Sequence, residues 1–237
     1  MPDRPTRPAL RERYDRRRQE MVSAAAKVFA RQGYDSTTMQ DLAASMGLAT
    51  GALYHYFGSK EQLLIEICDQ LMEPLLARAR ELVRGDESPD EQLRALVRMW
   101  VANVVQYRDH MLVFQQERHA IETGAQWRAV RESRKAFERL VQGALERAGV
   151  AGRPGSAGQT GPPGQTGRAR RSGPDGRTGP AGRSGPDARL ALMALLGMVN
   201  HTPQWYRPPP ARGRLSPEEI ADGYLELLRG APAAAAA

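Results

Sequence analysis

Apolar residues recur along this chain at three- and four-residue spacing, and glycine, proline and serine-led clusters cut the recurrence into separate segments. Tyr14, Met21, Val22, Ala25, Val28 and Phe29 share one side of a helix running from about Arg11 to Gln32 and ended by Gly33. Thr38 stands at the N-cap of a second helix whose inner face carries Leu42, Ala43 and Met46. Gly47 supplies a tight turn, since glycine tolerates positive φ, and Leu48, Leu53 and Phe57 pack a third helix that Gly58 stops. Ser59-Lys60-Glu61-Gln62 has the pattern of a capping box and opens a long helix to about Val83, bent at Pro74. Ser88-Pro89 opens the next helix, whose apolar face from Leu93 through Trp100 to Val105 is too wide for a surface helix. Residues 109–121 and 124–148 read as two more. Leu190 to Val199 is almost wholly apolar, which requires cover on most sides, in a core or against a second subunit. Ser216-Pro217-Glu218-Glu219 combines a proline start with a capping box, and Ile220, Tyr224, Leu227 and Leu228 make the last stripe. The alanines from Ala233 form a frayed tail. The expected fold class is all-α.

One stretch departs from this pattern. Between 152 and 186 glycine recurs at every third position with one break, in a setting of Pro, Ser, Thr and Arg. The G-X-Y register admits a collagen reading. The run is short and interrupted, and almost nothing in it can be buried, so the reading preferred is a disordered insertion.

Composition narrows the classes. No stretch reaches the roughly 18 apolar residues of a membrane span, and the basic N-terminus lacks the apolar core of a secretory signal. The single cysteine, Cys68, allows no internal disulfide and reads as a small buried hydrophobe. A cytoplasmic protein without a membrane partner is expected. The formal net charge of +7 is not spread evenly. Residues 152–186 hold six Arg against one Asp, whereas residues 1–63 hold ten Lys and Arg against seven Asp and Glu. The case for a nucleic-acid partner therefore rests on local pattern. An enzyme is disfavoured: there is no phosphate loop, no GxSxG and no CxxC. His110 and His119, the nearest pair among His55, His110, His119 and His201, fall on opposite faces of a helix, so no metal site and no cofactor are expected.

Residues 38–57, TMQDLAASMGLATGALYHYF, read as two short helices around the turn Met46-Gly47-Leu48. That is a helix-turn-helix, whose second helix lies in the major groove of DNA. The longer stretch GYDSTTMQDLAASMGLATGALYHYFGSKEQLL resembles the N-terminal domain of TetR/AcrR-type transcriptional repressors. The resemblance rests on the spacing of Thr38, Leu42-Ala43, Gly47, Gly51, Leu53-Tyr54, Tyr56-Phe57 and Lys60. It implies a three-helix DNA-binding domain at 1–63 with the motif at 38–57, and a helical ligand-binding and dimerisation domain at 64–151 and 187–230. The insertion 152–186 and the tail 231–237 lie outside both. It further implies a homodimer, joined through helices 187–205 and 216–229, on a near-palindromic operator.

Roles follow from chemistry at those positions. Thr38 caps the second helix and offers its hydroxyl or amide to a phosphate. Gln40 suits an adenine edge, and the small residues Thr50, Gly51 and Ala52 let the reading helix sit deep, with methyl groups for thymine. Tyr54 and His55 face outward as phosphate or base contacts, and Tyr56 and Lys60 are backbone clamps. Arg11, Arg13, Arg16, Arg17 and Arg18 either strengthen backbone contact or form a merely solvated arm. Ala49 stands where the family usually has serine or threonine, which removes a cap worth about 1 kcal/mol.

In that family the C-terminal helices enclose an effector pocket. The candidates here are polar groups within apolar helices: Asn103, Gln106, Gln115, Arg118, His119, Asn200, His201, Trp205 and Arg207. The ending NHTPQWYRPPPARGRLSPEEIADGYLELL is similar to a subgroup responding to acyl-CoA thioesters, whose phosphates would suit Arg118 or Arg207. The expected function is a ligand-responsive regulator, a repressor released from its operator by a small molecule such as an acyl-CoA thioester. The alternatives are a multidrug- or antibiotic-responsive repressor and a ligand-independent architectural DNA-binding protein.

Overall fold

The computed structural model describes residues 8–150, 187–206 and 215–230, which form ten α-helices and one short 3₁₀ turn. Arg207, the 152–186 segment and the alanine tail lie outside the described residues. The head is built from α1 (Pro8–Gln32), α2 (Met39–Ser45) and α3 (Thr50–Phe57). Met21, Val22, Ala25, Ala26 and Phe29 of α1 meet Leu42 and Ala43 of α2 and Leu53 and Phe57 of α3 in one buried core. Gly33, Gly47 and Gly58 carry φ of 86°, 66° and 71°, so each turn of the head uses a backbone conformation that glycine alone adopts readily.

The body follows: α4 (Lys60–Leu82), α5 (Pro89–Gln106), α6 (Arg108–Gln116), α7 (Arg118–Thr123), α8 (Arg128–Arg147), α9 (Ala188–Trp205) and α10 (Pro217–Arg229). α4 runs unbroken from the head into the body and contains Pro74, so the boundary drawn at residue 63 falls inside a continuous helix. The expected helix at 109–121 is two helices, parted at Glu117, and the next begins with a 3₁₀ turn at Ala125–Trp127. The break lets Ile121 and Trp127 bury, at 1% and 2% exposed, alongside Met111, Val113 and Phe114. The boxes at Ser88–Glu91 and Ser216–Glu219 form reciprocally. Ser59 caps α4 through the Gln62 amide, but Gln62 donates its side chain to Glu66 instead of closing a box. α10 is tied to α5 by Arg98, which pairs with Asp222 through two bonds.

Candidate nucleic-acid interface and effector cavity

α3 is held from beneath by Leu53 and Phe57, at 0% and 2% exposed. Gly51, Tyr54 and His55 therefore point outward together, with Thr50 and Ala52 half-buried at the flank. Gln40 is exposed on the first turn of α2. Ala49 leaves the N-terminus of α3 without a side-chain cap, so its first amides stay available to an anion. Tyr56 is half-buried, its ring stacked on Tyr14 of α1 at 4.9 Å between centroids.

Three groups that the sequence reading offered to the DNA backbone, Arg18 among them as an alternative to a solvated arm, have partners inside the head. Thr38 caps α2, but its hydroxyl and its amide both donate to the Asp41 carboxylate, at 2.6 and 2.9 Å. Those bonds hold the Asp41 carboxyl below its ordinary pKa. The Lys60 ammonium donates to the carbonyls of Tyr34 and Thr37, at 2.9 and 3.1 Å, and lies 4.2 Å from the Tyr34 ring centroid. It pins the α1–α2 connection, with two of its three donors committed. Arg18 forms a bidentate pair with Glu66 of α4, at 2.6 and 2.5 Å, and its guanidinium sits 5.3 Å from the Phe57 ring centroid. It links α1, α3 and α4.

In the body a small cavity of about 30 Å³ lies among α4, α5, α6, α8 and α9. Leu71, Met72, Trp100, Val104, Met111, Phe114, Phe137 and Leu196 give it an apolar wall, and Asn103 and Asn200 join that wall as expected candidates. Asn103 donates to the Leu71 carbonyl at 3.2 Å. Gln115 donates to the backbone carbonyl of Asn200 instead of facing the cavity. Gln106, Arg118, His119, His201 and Trp205 are exposed and do not line it. Spacing along a helix could not separate the faces of α6, α7 and α9 without the break at Glu117.

Arg134 and Glu138 also stand on the cavity wall, and the sequence pattern did not single them out. Four apart in a charged stretch, they read as a solvated surface pair. In the structure four-fifths of the Arg134 side chain is buried. Its Nη1 donates to Glu122, while its buried Nε lies 3.3 Å from Glu138 without a hydrogen bond.

Head and body meet where α6 packs on α1. His110 of α6 is buried and donates from Nε2 to Gln70 of α4 at 2.8 Å. Burial, then Lys27, pushes its pKa down to about 4, against an opposing pull from Asp109. A wider cleft of about 380 Å³ lies beside it, lined by Asp15 and Arg18 of α1, Glu66, Asp69 and Glu73 of α4, and Tyr107. Burial, then the nearby Glu73 and Glu66, raises Asp69 to about 6. Burial pushes the Cys68 thiol up, which keeps it inert. Among the described residues no cluster of His, Cys, Asp or Glu is arranged to hold a metal, and no helix is long and apolar enough to cross a membrane.

An outward-facing helix-turn-helix is thus joined by one continuous helix to a helical body that holds an apolar cavity, the arrangement of a DNA-binding regulator. Comparison with known sequences gives the family. A model of bacterial regulatory proteins of the tetR family matches residues 21–67. A model of the tetracyclin repressor-like C-terminal domain matches residues 86–157 and 179–231. The chain belongs to the TetR family of transcription regulators. The C-terminal match is interrupted at 158–178, inside the glycine-repeat stretch. The HTH-type transcriptional repressor KstR2 of Mycolicibacterium smegmatis is 34% identical over 116 residues, covering 49% of this chain and 53% of that protein. KstR2 of Rhodococcus jostii is 31% identical over 134 residues, covering 56% and 65%. The aligned stretches thus span between half and two thirds of these relatives. The solved structure of KstR2 of Mycobacterium tuberculosis, a ketosteroid transcriptional regulator, superposes with a TM-score of 0.68 at 22% identity, covering 90% of this chain and 93% of that one. AibR, solved with isovaleryl coenzyme A and operator DNA, superposes at 0.62 with 24% identity, covering 89% and 97%. At these identities the likeness shows the fold.

Proposed function

We propose that the protein is a homodimeric repressor that reads a near-palindromic operator with α3 and is released by an acyl-CoA thioester. The observation that carries the DNA reading is the outward face of Gly51, Tyr54 and His55 on a helix fixed by Leu53 and Phe57. Small residues at its start allow close approach to the groove floor, and Tyr54, His55 and Gln40 supply the edge and phosphate contacts. Operator reading by two copies needs a dimer, and α9 offers the surface. Leu190, Met193, Gly197, His201 and Trp205 lie exposed at helical spacing along one side. Leu190, Met193 and Trp205 are 63%, 52% and 50% exposed, and Leu227 of α10 is 65% exposed. A second copy covering this stripe meets the requirement for burial that the sequence poses. His201 and Trp205 then serve the subunit contact rather than the cavity.

The effector reading draws on the apolar chamber, on the C-terminal family match, and on the coenzyme A thioester held by the AibR fold relative. A chamber with room for one water must open to admit a ligand. α6 presents Met111 and Phe114 to it and His110 to the junction with α1 and α4, so opening moves the element that touches the head. The test is a gel shift on the DNA upstream of the protein's own gene, with and without a panel of acyl-CoA thioesters. Release by one member supports the repressor. A shift that every member leaves intact favours a ligand-independent architectural binder. Leu190→Glu with Met193→Glu turns the dimer into a monomer by light scattering; an unchanged mass contradicts the α9 interface.

A further inference from the structure

The geometry points to Arg134 as the group that recognises the effector, through a single uncharged carbonyl oxygen, at the wall of the α4–α9 chamber. The inference rests on the acyl-thioester reading above and names which part of that ligand is read. Arg134 stands on a mostly apolar wall, and among the described residues its buried Nε makes no hydrogen bond, Glu138 lying 3.3 Å away out of line. A donor kept dry and unmatched in a cavity marks the place where an acceptor is supplied from outside.

The charges around Arg134 decide the kind of acceptor. Its Nη1 is held by Glu122, and Glu138 lies 3.3 Å from Nε on the cavity wall. Glu122 is in turn flanked by Arg118 and Arg131. The guanidinium charge at the wall is therefore already balanced by Glu138. What is missing is a hydrogen bond, not a counter-charge. A free carboxylate would crowd Glu138, whereas a thioester or ester carbonyl would complete the Arg134 donors without adding charge. Leu71, Leu75 and Phe137 would receive the hydrocarbon. The pliable side chains of Met72 and Met111 form the part of the wall able to yield. The phosphates of a coenzyme A carrier would remain outside the chamber.

The test uses isothermal titration calorimetry of the purified full-length protein with octanoyl-CoA, methyl octanoate and octanoate, and the matching benzoyl series. The expected result is binding of the thioester and the ester in at least one series, with the free acid weaker by about tenfold or more. Arg134→Lys keeps the charge and loses the planar Nε donor; it should remove that preference while circular dichroism shows an unchanged helical content. Glu138→Gln should strengthen binding of the free acid and leave the ester unchanged, a shift that a purely structural role for Glu138 would not produce. A free acid bound as tightly as its ester, or an unaltered preference in Arg134→Lys, overturns the inference while leaving the acyl-thioester effector standing. Absence of binding by every compound sinks the effector reading and this inference with it.

Discussion

The head and the body of this protein both engage polar side chains internally, and they differ in what they leave exposed and unmet. In the head, Thr38, Lys60 and Arg18 spend donors on internal partners, while Gln40 of α2 and Gly51, Tyr54 and His55 of α3 stay exposed. In the body, Arg98 and Asn103 are engaged in the same way and α9 exposes Leu190, Met193 and Trp205, while among the described residues the buried Arg134 Nε goes without a hydrogen bond. A reading surface must keep its shape when it meets a rigid duplex, so internal polar bonds serve it as fixtures. A chamber proposed to take a ligand needs instead a donor that its own residues do not fully satisfy. The two regions share α4 and the α1–α6 contact. On the proposed function, a change of packing around the chamber would be passed to the head through these two connections.

The sharpest break of this comparison is at α3. Tyr54→Ala with His55→Ala should lower operator affinity about 100-fold, since removing each base or phosphate interaction costs about 1–3 kcal/mol. Their exposure predicts a melting temperature close to that of the parent. Fluorescence anisotropy with a labelled operator measures the first and calorimetry the second; a large thermal loss with little affinity loss would make these side chains structural.

The junction provides the next largest effect. His110 titrates at about 4 in the folded chain against 6.5 ordinarily. The unfolded chain therefore takes up the proton first, and this contribution is complete above pH 6.5 and lost as pH falls towards 4. The loss is on the order of 3 kcal/mol. His110→Gln keeps an N–H donor for Gln70 but cannot titrate, so urea melts across that window should show a flatter pH dependence. An identical slope would place the acid sensitivity elsewhere.

Lys60→Met comes third. Losing the bonds to Tyr34 and Thr37 should cost about 1–2 kcal/mol of stability. A pin, unlike a phosphate clamp, leaves the salt dependence of operator binding unchanged, whereas removing a phosphate clamp lowers the slope by about one. Titration of affinity against salt separates the two roles.

Asp69 gives the smallest effect, with the opposite pH sign to His110. Its folded pKa is raised from 3.8 to about 6, so ionisation costs stability as pH rises through that window. Asp69→Asn should stabilise the protein at neutral pH by up to about 1 kcal/mol once solvent screening of a half-exposed group is allowed for. Destabilisation would mean that the carboxylate holds a partner across the cleft.

The helix-turn-helix was legible because its signals are local. Gly47 at positive φ, Thr38 at an N-cap and Leu53 and Phe57 at helical spacing each act within a few residues. The commitments of Thr38, Lys60 and Arg18 were not, because Lys60 meets Tyr34 and Arg18 meets Glu66 across turns that sequence spacing does not measure. Thr38-x-x-Asp41 is itself a local signal, a capping box that closes with Asp in place of the more usual Glu. The chamber was half legible: Asn103 and Asn200 stand out as amides in apolar helices. Arg134 and Glu138 did not, since burial of a four-residue charge pair is decided by which other helices cover it.

The account stands on α3 as the surface that reads DNA. Gly51 offers a clean probe, because a side chain added there meets nothing within 4 Å. Genomic fragments captured by the purified parent protein and by Gly51→Glu should be sequenced side by side. The account predicts a near-palindromic motif enriched by the parent and lost in the variant, which stays folded but carries a carboxylate into the groove. Recovery of the same motif by both proteins would contradict it.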